Sequence, residues 1–171
     1  MKKIPVPLLK QTKSACGPTS LAMVLKYFKK EVPLAEIIRN VGGGVKDYGV
    51  RMVKLSEYAK ELGFKVYCYS YNEKMSKGKA KIRKPNKDLI IKFLKKRLPV
   101  IIAVRVFLLR KLEFSKYGHF IVITRYKNGT FWYNDPSYAR EIKIKDEDLL
   151  FAWHNNILDS SAYMLVLEPK K

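Results

Sequence analysis

The sequence predicts an α+β domain, and three features carry that expectation. Helical periodicity dominates the first 62 residues, strand-like runs dominate from residue 64 onward, and a hairpin signal joins two of those runs. The expected organisation is one domain over residues 1–171, with a helical half at about 14–62 and an antiparallel-sheet half at about 64–168.

Residues 16–30 read as a helix: Leu21, Ala22, Leu25 and Phe28 share a face, Lys26, Lys29 and Lys30 lie opposite, and Pro18 suits a first turn. Cys16 then stands at its N-terminal end. Leu34, Ile37, Ile38 and Val41 recur at helical spacing until the glycines at 42–44 break the pattern. A third helix is expected from about 50 to 62, closed by Gly63. The period then changes. "FKVYCYS" at 64–70 and "VIIAVRVF" at 100–107 are strand-like, and between them a helix at about 87–97 begins after Asn86, a suitable N-cap. "HFIVITRY" at 119–126 and "TFWYN" at 130–134 flank Asn128-Gly129, the strongest short hairpin signal. "AREIKI" at 139–144 and "AYMLVLE" at 162–168 supply two more strands, with a short helix near 146–153 between them. No internal repeat is present.

Composition bounds the function. At 47% hydrophobic residues the chain can build a core, so disorder is excluded. Its longest apolar run, "LPVIIAV" at 98–104, falls far short of the roughly 20 residues of a membrane span. "MKKIPVPLLKQ" is too short in apolar residues for a secretory signal, so a cytoplasmic location is expected. Two cysteines, Cys16 and Cys68, make no disulfide framework and lie at no metal-binding spacing; no metal, nucleotide or organic cofactor is expected. The net charge of +20 draws anionic partners: acidic peptides, nucleic acid or membrane surfaces. Seven Lys and Arg residues crowd 74–87 with no interleaved aromatics, which reads as a mobile basic loop, a nucleic-acid or substrate clamp being the alternative.

A thiol is nucleophilic as thiolate, and a helix N-terminus favours that charge, so Cys16 is the candidate nucleophile. Cys68, flanked by aromatics in "YCYSY", reads as an inert core thiol. The base must be His119 or His154. His154 in "AWHNN" falls at a helix end, where capping or a surface role is the ordinary reading. His119 in "YGHFIVI" opens a strand after a glycine, and its ring is expected to reach out at a sheet edge.

Asp135 is the candidate to orient that base, against the alternative that Asp135-Pro136 merely starts a turn. An ideal two-residue hairpin pairs positions summing to 257, which sets His119 opposite 138 and leaves Asp135 three residues short and on the other face. The register must therefore break. Pro136 cannot continue a ladder, so the strand is expected to end at Asp135, with its carboxylate swinging across from a turn. Gln11, the only glutamine, is the candidate oxyanion donor. Tyr48 and Tyr117, in the loops at about 42–49 and 108–118 that would wall the cleft, read as buried or surface aromatics.

"QTKSACGPTSLAMVLKY" resembles the N-terminal box of the C39 and C39-like cysteine peptidases, a papain-like branch, and "GHFIVITRYKNGTFWYNDPS" resembles their second box. The two boxes span residues 11–137 in the family's order. The resemblance implies a papain-like fold and a thiol hydrolase cleaving a peptide or isopeptide amide. Cys16 would attack the carbonyl, His119 would hold the thiolate and protonate the leaving amine, Asp135 would orient His119, and Gln11 with the Cys16 N–H would bind the oxyanion. Family members space their glutamine six residues before the cysteine; here the spacing is five, and Ala15 stands where bacteriocin-maturing members carry an acid. With no membrane spans or ATPase in this chain, the likeness is to freestanding members, and the substrate expected is a peptide or protein, with a bias to acidic ones. Members that have lost catalytic residues supply the alternative: a silent binding module for a peptide or anionic partner.

Overall fold

The computed structural model describes residues 1–42, 49–84, 86–114, 117–155 and 163–170. The first box forms α1 (Cys16–Tyr27), in which every residue from Gly17 to Leu25 is buried. The expected two-faced helix is thus an enclosed one, because later helices and a central strand cover it; only Cys16 at its start and Lys26 and Tyr27 at its end reach solvent. The helices α2 (Leu34–Val41) and α3 (Met52–Glu61) pack beside it.

Next come β1 (Phe64–Ser70), the four-residue α4 (Glu73–Ser76), the two-residue β2 (Lys81–Ile82) and α5 (Lys87–Lys95). The basic segment read as a loop therefore carries a short helix and a strand. It is held by β1–β2 pairing and by Arg83 N–H donating to Ser70 O. Asn86 caps α5 as expected, its side chain accepting from the N–H groups of Asp88 and Leu89, a contribution of about 1 kcal/mol. The remaining elements are β3 (Val100–Arg105), α6 (Val106–Arg110), β4 (Gly118–Lys127), β5 (Thr130–Asp135), β6 (Arg140–Lys145), α7 (Asp146–His154) and β7 (Met164–Pro169).

The strands form one seven-stranded sheet in the order β2-β1-β7-β3-β4-β5-β6. Neighbours run antiparallel except β1 and β2, which are parallel, a departure from the expected all-antiparallel sheet. β3 is buried at all six residues, so both faces of the sheet's centre are covered. The edge strand β6 carries Arg140, Lys143 and Lys145, charges that discourage edge-to-edge pairing with other chains.

One irregularity positions the functional residues. The β4–β5 hairpin starts in the expected register, Lys127 opposite Thr130 and Arg125 opposite Trp132, with Asn128 and Gly129 both at positive φ (47° and 73°) as a type I′ turn requires. It then shifts by one residue: Ile123 faces Tyr133 and Val122 faces Asn134. The extra residue is Thr124, a β-bulge. Because side chains alternate, a one-residue shift exchanges faces. Continued along β4, the new register sets Asp135 against Ile121, on the same face as His119 and diagonally next to it.

Gly17 explains how closely α1 approaches the sheet. A Cβ there would stand 2.6 Å from Val50 Cγ1 and 3.3 Å from both Leu55 Cδ1 and Phe120 Cδ2. Valine has no slack at that atom, so Gly17→Ala must push the helix start away from Val50, just before α3. A loss of about 1–3 kcal/mol is expected, read as a lower Tm. An unchanged Tm would show that this end of the helix is free to shift.

Candidate active site

Cys16 is the first residue of α1, preceded by Ala15, whose side chain gives no cap, and followed by a first turn with no acidic residue. The N–H groups and dipole of that turn are thus left to act on the thiol itself. The sulfur is half-buried and meets the His119 imidazole and the backbone N–H groups of Gly17 and Phe120. Burial alone would push the thiol up; His119 and the two N–H groups outweigh it and hold Cys16 below the usual thiol range.

His119 lies near the start of β4, between β3 and β5, so it emerges at the end of an interior strand rather than at the expected sheet edge. Its Nε2 is 2.8 Å from Asp135 Oδ1, which leaves Nδ1 to face the thiol. Burial pulls the imidazole down, but Asp135 and Cys16 prevail and raise it to about 9. Asp135 is fully buried. Burial would raise its carboxyl, yet His119, Arg110 and the Ser137 N–H (2.8 Å to Oδ1) keep it below the ordinary carboxylate range. Asp135 ends β5 as expected, but it remains paired with Arg140 of β6 and reaches His119 from within the strand, brought there by the Thr124 bulge, not by a swing from a turn.

Gln11 is held elsewhere. Its backbone N–H donates to Pro136 O at 2.9 Å and its Oε1 accepts from Ser137 Oγ at 3.4 Å, which ties it to the turn after Asp135. It makes no hydrogen bond to Cys16 among the described residues. The N-terminal strap that carries it is pinned to the hairpin by Ile4 N–H to Thr124 O and by Asn134 Nδ2 to Val6 O.

The remaining sequence candidates lie apart. Cys68 is buried in β1 and pushed by that burial up to about 11. His154 closes α7, with Nε2 buried and unpartnered among the described residues, and its burial, helped by Lys84, lowers it. Tyr117 is exposed, while Tyr48 and most of the 42–49 loop lie outside the described residues. No group of His, Cys, Asp and Glu among the described residues could hold a metal ion.

Sequence reasoning missed Arg110. The last residue of α6, it places Nη2 2.9 Å from Asp135 Oδ2, 3.2 Å from Oδ1 and 3.2 Å from His119 Nε2. The available signal was a cation in the apolar run "VFLLR" shortly before the histidine strand. The first residues of that run read as the end of β3, which hid it.

The model of the Peptidase_C39 like family matches residues 3–156. No curated protein matches the sequence. Crystal structures that share the fold include the following three. A structure assigned as a C39-like peptidase from Bacillus anthracis is 16% identical, with all of both chains covered and a TM-score of 0.76. The peptidase domain of Streptococcus ComA, a bifunctional ABC transporter of a quorum-sensing pathway, is 18% identical, with 96% of this chain and 99% of that one covered and a TM-score of 0.66. A double-glycine-motif protease from an AMS/PCAT transporter, in complex with the leader peptide, is 24% identical, with 98% and 94% covered and a TM-score of 0.65.

Proposed function

Since the chain belongs to the Peptidase_C39 like family, we propose that it is a thiol hydrolase that cleaves an amide in a peptide or protein through an acyl-enzyme on Cys16. The observation that carries the reading is the continuous line of contacts from the α1 N-terminus to β5: Cys16 sulfur to His119, and His119 Nε2 to Asp135 Oδ1 at 2.8 Å. A thiolate and an imidazolium in contact are the reactants of acyl transfer. The Cys16 thiolate attacks the carbonyl carbon, forming the C–S bond and placing the electron pair on oxygen. The tetrahedral adduct collapses, the C–N bond breaks, and the His119 proton goes to the leaving amine. Neutral His119 then takes a proton from water, whose oxygen attacks the thioester; the C–S bond breaks, releasing the carboxylic acid and restoring the Cys16 thiolate beside the His119 imidazolium.

Asp135 keeps the Nε2–H engaged, so that Nδ1 is the nitrogen presented to Cys16. For the oxyanion, the Cys16 N–H at the helix start is one donor and the Gln11 amide the proposed second; Gln11 Oε1 accepts from Ser137 Oγ, so that role requires its side chain to turn toward Cys16. A peptide suits the site, and the +20 charge favours acidic ones by steering.

The test is cleavage of a complex peptide mixture, read as new termini by mass spectrometry. Termini produced by the wild-type chain and absent with Cys16→Ala support the reading. No cleavage, together with peptide binding that survives Cys16→Ala, would instead identify a silent binding module.

A further inference from the structure

Arg110 has no part in the reaction just described, yet it touches both groups behind the nucleophile. Its place is built. Lys111 takes a left-handed φ of 53° that ends α6, and Lys111 Nζ pairs with Asp148 Oδ2 of α7 at 3.4 Å. The Arg110 guanidinium lies 4.6 Å from the centroid of the Tyr138 ring, which Arg140 also approaches at 4.7 Å. Its Nε is buried and has no partner among the described residues, so Nη2 makes every bond to the site.

The geometry at that nitrogen decides what it does. Asp135 Oδ1 accepts from His119 Nε2 at 2.8 Å, from Ser137 N–H at 2.8 Å and from Arg110 Nη2 at 3.2 Å, and Oδ2 accepts from Arg110 Nη2 at 2.9 Å. The 3.2 Å between Nη2 and Nε2 separates two N–H donors. While the imidazole carries both protons they are two positive groups converging on one carboxylate, and like charges so close oppose each other. A buried carboxylate bound to the imidazolium alone would hold the ring in its charged form and slow the transfer of its Nδ1 proton to the leaving amine. Sharing that carboxylate with a permanent cation relaxes the grip.

We propose that Arg110 is a positioning residue that fixes the Asp135 carboxylate and, by competing with His119 for it, keeps the His119 proton transferable. The proposal rests on the hydrolase reading above. Other groups face the pair. Cys16 comes from α1, Tyr133 from β5, Tyr138 from the turn after β5 and Arg140 from β6, opposite Asp135; β3 sets Val104 and Arg105 opposite His119 and Gly118. Arg110 stands within hydrogen-bond distance of both Asp135 and His119.

The test is the titration of the His119 ring, followed by NMR in a Cys16→Ser background so that the thiol does not contribute. Arg110→Met should move the midpoint up by about one pH unit, whereas Asp135→Asn should move it down. Arg110→Gln, which keeps length and a donor but drops the charge, should follow Arg110→Met, and Arg110→Lys should stay near the parent. A midpoint unmoved or lowered in Arg110→Met and in Arg110→Gln overturns the assignment; Arg110→Gln alone decides if Arg110→Met does not fold. Alkylation of Cys16 in the otherwise wild-type chain separates the two claims. Loss of low-pH reactivity with an intact Arg110 effect removes the hydrolase reading alone, and the converse removes Arg110 alone.

Discussion

Cys16→Ala is expected to abolish the proposed amide cleavage, by at least about a thousandfold, because no other described nucleophile is in contact with His119. The fold survives the change: the sulfur is half-buried at a helix end, and alanine suits a helix first turn. Cys68→Ala is the matched control. It removes a buried thiol from β1 and costs stability without touching activity, since that thiol is pushed up by burial and remains protonated at neutral pH. Comparing kcat/KM for the two variants at equal folded fraction checks the result. Equal losses in both would move the chemistry away from the α1 N-terminus.

His119→Ala is expected to have the second-largest effect, a fall of about a hundred- to ten-thousandfold in the acylation rate at pH 7. In the proposed reaction two functions would disappear together: the cation that holds the thiolate, and the acid that protonates the amine. The sign of the pH dependence follows from the shifts. His119 is raised to about 9, so the imidazolium is intact at neutral pH and activity falls as pH rises through that value. Cys16 is lowered, so activity falls on the acid side only where the thiolate takes up a proton, below the ordinary thiol range. The same shifts govern stability. The His119 pairing contributes fully below about 6.5 and is lost as pH climbs through about 9. The Asp135 contribution is present above the ordinary carboxylate range and lost as pH falls through its depressed value. In His119→Ala the low-pH arm of the rate profile is expected to vanish and reactivity to follow an unassisted thiol.

The place of Cys16 at a helix start was legible because helix starts are local features: Pro18, the apolar period and Cys16 all lie within a dozen residues. The hairpin was legible for the same reason, through Asn128-Gly129. That Asp135 needed a break in register to reach His119 also followed from counting. What counting could not supply was the kind of break, because Thr124 is an ordinary strand residue and a bulge leaves no compositional mark. Arg110 escaped because its role is made by contacts 9 and 25 residues further along the chain. The two-residue β2 escaped because its pairing with Tyr69 and Ser70 is all that defines it. Gln11 shows a further limit: its distance in sequence from Cys16 is known, but Ser137, which holds its side chain, lies 126 residues further along the chain.

The central claim is that Cys16 and His119 form a thiolate–imidazolium pair, and the pH dependence of iodoacetamide alkylation at Cys16 tests it most directly, with Cys68 read by mass spectrometry in the same sample. Cys16 is expected to react well below pH 7, Cys68 to stay unreactive in the folded protein, and His119→Ala to remove the low-pH reactivity. Alkylation of Cys16 that rises only near the unperturbed thiol value of about 8.5 would contradict it.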